Sequence, residues 1–289
     1  MSVFVAGVDY SGAAQVPNDT WLVVGELGSL GLDIVTVKNT GSHDMKKELD
    51  ASTELKTIAM DFPFSLPTEF LRFLERKLSV AEYQQWQQIA EQLVFMSWQE
   101  FDALVSEYDM EPKRFTDKNS ERTAQSPLHR VNPSMVQMTY HGMRMLAMLD
   151  PKRYFVMPFQ DRLPGAVAVM EIFPRELLHL LGLPDRGYKG KDKKSREAAM
   201  AVRREILDGL IYLKETGDAR FQEFPRLSLD NSFKGAVIAA DHALDALIAC
   251  YGAALFTAQD KLFPDPLDSN NLNILLEGWI YAPSKLKSS

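Results

Sequence analysis

The feature that most limits what this chain can fold into is its opening run, Val3-Phe-Val-Ala-Gly-Val-Asp9, which leads through Tyr10 into a Ser11-Gly12 turn. An almost wholly apolar run of this length reads as a strand inside a sheet with a parallel neighbour, buried on both faces. It ends on a carboxylate, and a carboxylate in such a place must be paired, protonated or bound to metal. Thr57-Ile-Ala-Met-Asp61 repeats the pattern, and Pro63 closes it. Ligands of open α/β sheets bind at the carboxyl ends of the strands. Two such strands, adjacent and parallel, would bring Asp9 and Asp61 to one sheet edge, which is read here as a metal-dependent active site. A plainer reading stands beside it, in which Asp9 forms an Asx turn with Tyr10-Ser11-Gly12 and Asp61 terminates its strand through its side chain.

The rest of the chain builds an α/β protein around these two runs. Thr20–Leu27 and Leu32–Lys38 read as strands that form an antiparallel meander with the first. Ser42–Ser52 reads as a short helix, and its crossover lets Lys56–Asp61 lie parallel to the first strand. From residue 67 to 150 the strand pattern gives way to helical spacing (Leu71, Leu74, Leu78; Ile89, Leu93, Met96), interrupted by a proline-broken loop over Glu111–Pro133. We take this as a mostly helical insertion within a single domain spanning residues 1–289. Tyr154–Met157 is expected as an edge strand and Ala166–Phe173 as a strand, with Pro174 opening a helix. Asp192–Lys214 is expected as an amphipathic helix, Lys234–Ala258 as one long alanine-rich helix and Ile274–Tyr281 as a final strand.

Charge narrows the function. The net charge is −7 over 289 residues, which argues against a protein that coats nucleic acid through its overall field and leaves only local basic patches. Arg122, His129, Arg130 and Arg144 in the insertion are candidates. So is the run from Arg186 to Arg204 with Lys189, Lys191, Lys193, Lys194 and Arg196, which also reads as a solvated helix face. Trp86 and Trp98 are of a type that stacks on bases, although aromatics in helical stretches usually build core. The lone cysteine, Cys250, rules out an intramolecular disulfide. With no basic leader and a short N-terminal apolar run, a cytoplasmic location is expected.

The chemistry-bearing residues extend beyond the two strands. Glu171 lies late in the Ala166–Phe173 run, and Asp241, His242 and Asp245 lie at helical spacing on a helix face otherwise made of alanines. Clustered carboxylates repel one another unless a cation or a proton intervenes. Mg²⁺ and Mn²⁺ take oxygen ligands of this kind, and two ions about 3.5–4 Å apart can clamp the attacking and leaving oxygens of a phosphodiester. Each acid also has a structural reading: Glu171 as a paired carboxylate, Asp241 as a helix-surface acid, His242 as a satisfied half-buried imidazole.

Four segments, Gly7-Val-Asp9 with Ser11-Gly12, Ile58-Ala-Met-Asp61-Phe-Pro63, Glu171-Ile-Phe-Pro174 and His242-Ala-Leu-Asp245-Ala246, together with Glu277-Gly-Trp-Ile280 and Ala282-Pro283, resemble the family catalogued as domain of unknown function 429, described as predicted ribonuclease H-like nucleases. The resemblance spans nearly the whole chain. It implies a ribonuclease H-like mixed sheet of five or more strands, the first three antiparallel and the rest parallel, flanked by helices. It also implies a metal-dependent nuclease that hydrolyses phosphodiester bonds at a two-metal carboxylate site, with Mg²⁺ or Mn²⁺ held by Asp9, Asp61 and Asp245; Asp241, which has no counterpart in the resemblance, is a further candidate ligand from its place beside His242. His242 would orient or protonate, and Glu171 would be an extra ligand or base. Ser11, Arg122, Arg130, Arg144 and Lys193 would meet a nucleic acid or nucleotide. A nucleotide-binding or phosphotransfer protein of the same superfamily, and a silent interaction protein, are the alternatives. The absence of a Gly-x-x-x-x-Gly-Lys run weighs against the former, and carboxylates at strand ends, for which a silent scaffold has no need, weigh against the latter.

Overall fold

The computed structural model describes residues 2–12, 20–42, 44–52, 54–131, 134–190 and 193–283. Strand β1 (Val3–Asp9) pairs antiparallel with β2 (Trp21–Gly28), which pairs antiparallel with β3 (Gly31–Asn39). Helix α1 (Met45–Ala51) then carries the chain across to β4 (Leu55–Asp61), parallel to β1 with Asp9 and Asp61 as register partners. The insertion follows as helices α2 (Thr68–Leu78), α3 (Trp86–Phe95), α4 (Trp98–Tyr108), α5 (Phe115–Asn119) and α6 (Met135–Ala147). Strand β5 (Tyr154–Val156) forms the edge beside β6 (Val167–Glu171), itself parallel to β4. Helices α7 (Pro174–Leu180) and α8 (Lys193–Ile211), a two-residue strand β7 (Leu227–Ser228), and helices α9 (Asn231–Ala239), α10 (Asp241–Ala258) and α11 (Ile274–Glu277) complete the chain. The result is a seven-stranded mixed sheet in the order β5-β6-β4-β1-β2-β3-β7, antiparallel within the opening β1-β2-β3 meander and parallel at every other pairing.

The pleat distributes the central strands' side chains to two cores. Val5, Ala59 and Met170 face α7, α8 and α10, whereas Ala6, Val8, Ile58 and Met60 face α1, α3 and α6. The small residues of α10 serve close approach. A Cβ on Gly7 would lie 2.1 Å from the Ala246 carbonyl oxygen and 2.1 Å from the Cys250 nitrogen, so β1 and α10 touch backbone to backbone. The insertion has its own apolar core of Leu66, Phe70, Leu74, Ile89, Leu93, Phe101 and Tyr140. Trp86 belongs to the protein interior, with its Nε1–H donated to the Phe64 carbonyl at 2.8 Å and its ring stacked on Phe159. Trp98 packs against Phe101 and Tyr140.

Three expectations from sequence are corrected. The helix expected over Lys234–Ala258 is two helices that meet at Ala240 with a bend of 119°. No proline or glycine marks the break. Buried Arg203 of α8 holds it instead, its Nε donating to the Ile238 carbonyl at 2.7 Å at the end of α9. The strand expected over Ile274–Tyr281 is helix α11 followed by a single parallel bridge from Ile280 to Glu171. Glu277 sets that geometry by accepting the backbone N–H of Thr68 (2.7 Å) and of Phe115 (2.8 Å), the starts of α2 and α5. Third, the loop expected over Glu111–Pro133 contains α5. Among the described residues no single helix is long and apolar enough to cross a membrane. The bent pair α9 and α10 meets that test by length and composition, but α10 is buried in the core from Ala243 to Leu255.

Candidate functional site

Asp9 and Asp61 end adjacent parallel strands in register, and on that face of the sheet lies α10. The break at Ala240 starts α10 at this sheet edge, so Asp241 and His242 occupy its first turn and Asp245 follows in the next. One carboxylate oxygen from each of Asp9, Asp61 and Asp245 lies within 4.8 Å of the other two. Asp9 and Asp245 are buried and Asp61 is half-buried. Helix α6 of the insertion roofs the turn after Asp9. Gly12, at φ +65°, sits so close to it that a Cβ would lie 2.5 Å from the Met138 Cα.

Each aspartate is held differently. Asp9 Oδ2 meets His242 Nδ1 at 2.8 Å. Burial raises the Asp9 pKa and the His242 contact opposes it. Burial alone would lower His242, but the hydrogen bond and charge of Asp9 outweigh it and hold the imidazole at about 9. His242 is therefore a cation at neutral pH. Asp245 accepts the Tyr188 hydroxyl on Oδ1 at 3.0 Å and pairs with the Lys189 ammonium on Oδ2 at 2.8 Å. Asp61 has no hydrogen-bond or ion-pair partner among the described residues. Burial, then the charges of Asp9 and Asp245, push its pKa well up. The site thus holds one carboxylate whose ionisation is opposed by three others, Asp9, Asp245 and, least, Glu171. Hard oxygen donors in that state suit a divalent cation.

Asp9 and Asp61 open into a cleft of about 500 Å³ whose lining includes Phe62, Met138, Phe173, Lys189 and His242 and also Glu171 with Arg114, whereas Asp245 lies fully buried behind it. A second cleft of about 520 Å³, between Lys56, Phe155 and Phe256, contains none of the acids singled out from sequence.

The structure does not bring every expected residue to the triad. Glu171 is the register partner of Met60, one step short of Asp61, so the pleat turns it to the opposite face. There it is buried against Arg114, accepting Nη2 at 2.5 Å and Nη1 at 2.8 Å, and also accepts the Phe64 N–H at 2.9 Å. Asp117 binds the same guanidinium. Asp241 is half-buried on the first turn of α10, beside His242 and Arg203 in the electrostatic sense, and its carboxylate is not among the converging oxygens. Ser11 donates its N–H to Thr20 Oγ1 at 3.2 Å beside the site.

The basic candidates of the insertion are engaged where they stand, three of them by carboxylates and Arg144 by neutral acceptors. Arg122 pairs with Asp185 at 2.5 Å, Arg130 with Asp102 at 2.7 Å, and His129 with Glu111 at 2.6 Å. Arg144 donates to the Met96 carbonyl at 3.2 Å and to the Tyr140 hydroxyl. Lys193 opens α8, but its side chain lies outside the described residues, as does Lys191. Sequence reasoning passed over Tyr188 and Arg114 and placed Lys189 only within a basic run. The one local signal for Lys189 is its setting in Gly187-Tyr-Lys-Gly190, where two glycines allow a tight approach.

No curated protein and no solved structure matches the chain. Residues 7–268, from β1 past α10, match the family described as Protein of unknown function (DUF429), and on the strength of that match across the sheet and all three converging aspartates the chain belongs to the DUF429 family.

Proposed function

We propose that the protein is a metal-dependent phosphodiesterase of the nuclease class, with Mg²⁺ or Mn²⁺ held by Asp9, Asp61 and Asp245. The observation that carries this reading is the convergence of three aspartate oxygens within 4.8 Å at the carboxyl ends of parallel strands, one of them without a partner among the described residues. The resemblance to ribonuclease H-like nucleases points the same way. A bound divalent ion supplies Lewis-acid charge to a phosphoryl oxygen and acidifies a water. The chain's own residues do the rest. His242 orients Asp9 through Nδ1 and presents its half-exposed ring to the cleft. As a cation it offers Nε2–H to a phosphate oxygen. The apolar walls of the cleft, with Phe62, Met138 and Phe173, exclude water around the reacting ester. Overall, water adds to phosphorus, one P–O ester bond breaks, and an alcohol and a phosphomonoester leave. The substrate class is a nucleic acid or nucleotide.

The test is calorimetric titration of metal-free protein with Mn²⁺, wild type beside the double variant Asp9→Asn/Asp245→Asn, with circular dichroism to verify folding. Binding in the wild type that disappears in the folded double variant is the expected result. Identical isotherms, or no binding to the wild type, would overturn the reading. A positive titration leads to Mn²⁺-dependent cleavage assays on single- and double-stranded DNA and RNA and on bis(p-nitrophenyl) phosphate.

A further inference from the structure

Asp245 is fully buried and already engaged on both oxygens, by the Tyr188 hydroxyl on Oδ1 and the Lys189 ammonium on Oδ2. Both donors come from the 182–190 loop between α7 and α8, outside the strand-strand-helix frame that supplies the triad. That loop is pinned. The Tyr188 carbonyl accepts Arg203 Nη1, and Arg203 in turn holds the end of α9. Gly187 adopts φ +79°, and a Cβ on Gly190 would lie 2.7 Å from the Ser195 carbonyl oxygen. The Lys189 side chain is 54% exposed and lines the cleft, so its head touches the triad while its flank faces incoming ligand.

This arrangement bears on how many ions the site takes. One divalent ion with oxygens at about 2.0–2.2 Å fits among three converging carboxylates after small adjustments. A second ion about 3.5–4 Å away needs a free lone pair on a shared carboxylate and room beyond it. At Asp245 Oδ2 that position faces an ammonium held by the loop. Two metal ions, the ammonium and the His242 imidazolium would crowd four cations around three carboxylates, and like charges at such separations repel strongly away from bulk water.

Resting on the metal reading above, we infer that Lys189 is a built-in second cation: the triad binds a single divalent ion, and the Lys189 ammonium takes the position toward a substrate phosphoryl oxygen that a second ion would otherwise fill. Lys189 is a positioning and charge-bearing group in this scheme and transfers no proton.

The experiment is Mn²⁺ titration by calorimetry, with electron paramagnetic resonance of the loaded protein, on wild type, Lys189→Met and Lys189→Arg. The wild type and Lys189→Arg are expected to bind one Mn²⁺ per chain with the spectrum of an isolated ion. Lys189→Met is expected to bind two, with a spin-coupled spectrum. Two ions in the wild type would overturn the role of Lys189 and leave the metal site standing. One ion in Lys189→Met at unchanged affinity would do the same. No Mn²⁺ in any of the three proteins would instead overturn the metal reading itself, and this inference with it.

Discussion

Replacing Glu171 by glutamine separates a structural carboxylate from a catalytic one. Glu171 is 3% exposed, Arg114 1% and Asp117 0%, so the exchange takes place out of water. The carboxylate accepts two guanidinium N–H groups, at 2.5 and 2.8 Å, and the Phe64 N–H at 2.9 Å. Hydrogen bonds to charged groups contribute roughly 1.5–3 kcal/mol each. A glutamine keeps the shape but has one acceptor oxygen, and its amide N–H groups face a donor. Arg114 keeps Asp117 as counter-ion, so no buried charge is left unpaired. The net cost is therefore the loss of about one charge-assisted bond plus an unmatched donor, about 3 kcal/mol. At about 2–3 °C per kcal/mol for a chain of this size, the melting temperature should fall by roughly 6–9 °C. Mn²⁺ affinity should stay within about threefold of wild type, because Glu171 spends its oxygens on Arg114 and the Phe64 N–H and reaches Asp61 through its charge alone. Calorimetric melting and Mn²⁺ titration of the same preparation measure both. An unmoved melting temperature with a tenfold or greater loss of Mn²⁺ affinity would refute the reasoning and return Glu171 to the metal site.

Two further outcomes follow from the same geometry. The Asp61 pKa is raised in the folded state, so the native protein binds more protons than the unfolded chain, and stability without metal should decline as pH rises from about 4, the unfolded value, toward the raised folded one. Asp61→Asn should remove that decline and melt above wild type at pH 7 in chelator, whereas a lower melting temperature would mean that the carboxylate makes a stabilising contact. Gly7→Ala should cost about 3 kcal/mol or more, because the new Cβ meets backbone of α10 at 2.1 Å and no side chain can yield; soluble protein with wild-type melting would exclude the close strand-helix contact.

The strands were legible because their signals are local. Apolar runs ending on aspartate marked β1 and β4, turn residues separated β2 from β3, and helical spacing marked the insertion. The elbow at Ala240 was not legible, since nothing in the local sequence breaks the helix and the cause is Arg203, a cation of another helix. Glu171 and Asp61 look alike on paper, each an acid at the end of an apolar strand. A one-residue offset in register turns one toward the triad face and the other to Arg114. Likewise the arginines of the insertion carry their charge in the sequence, but only the fold shows that Asp102 and Asp185 have already taken two of them.

The sequence by itself determined the α/β class, the order of β1 to β6 with a helical insertion between β4 and β5, and the residue types from which an oxygen-rich cation site could be made, because hydrophobic period and turn chemistry act between near neighbours. Only the tertiary structure decided which acids converge, which are neutralised, and that Lys189 lies against Asp245. Those outcomes depend on pleat, register and helix direction, which join residues as far apart as Asp9 and His242 and leave no trace in the local pattern.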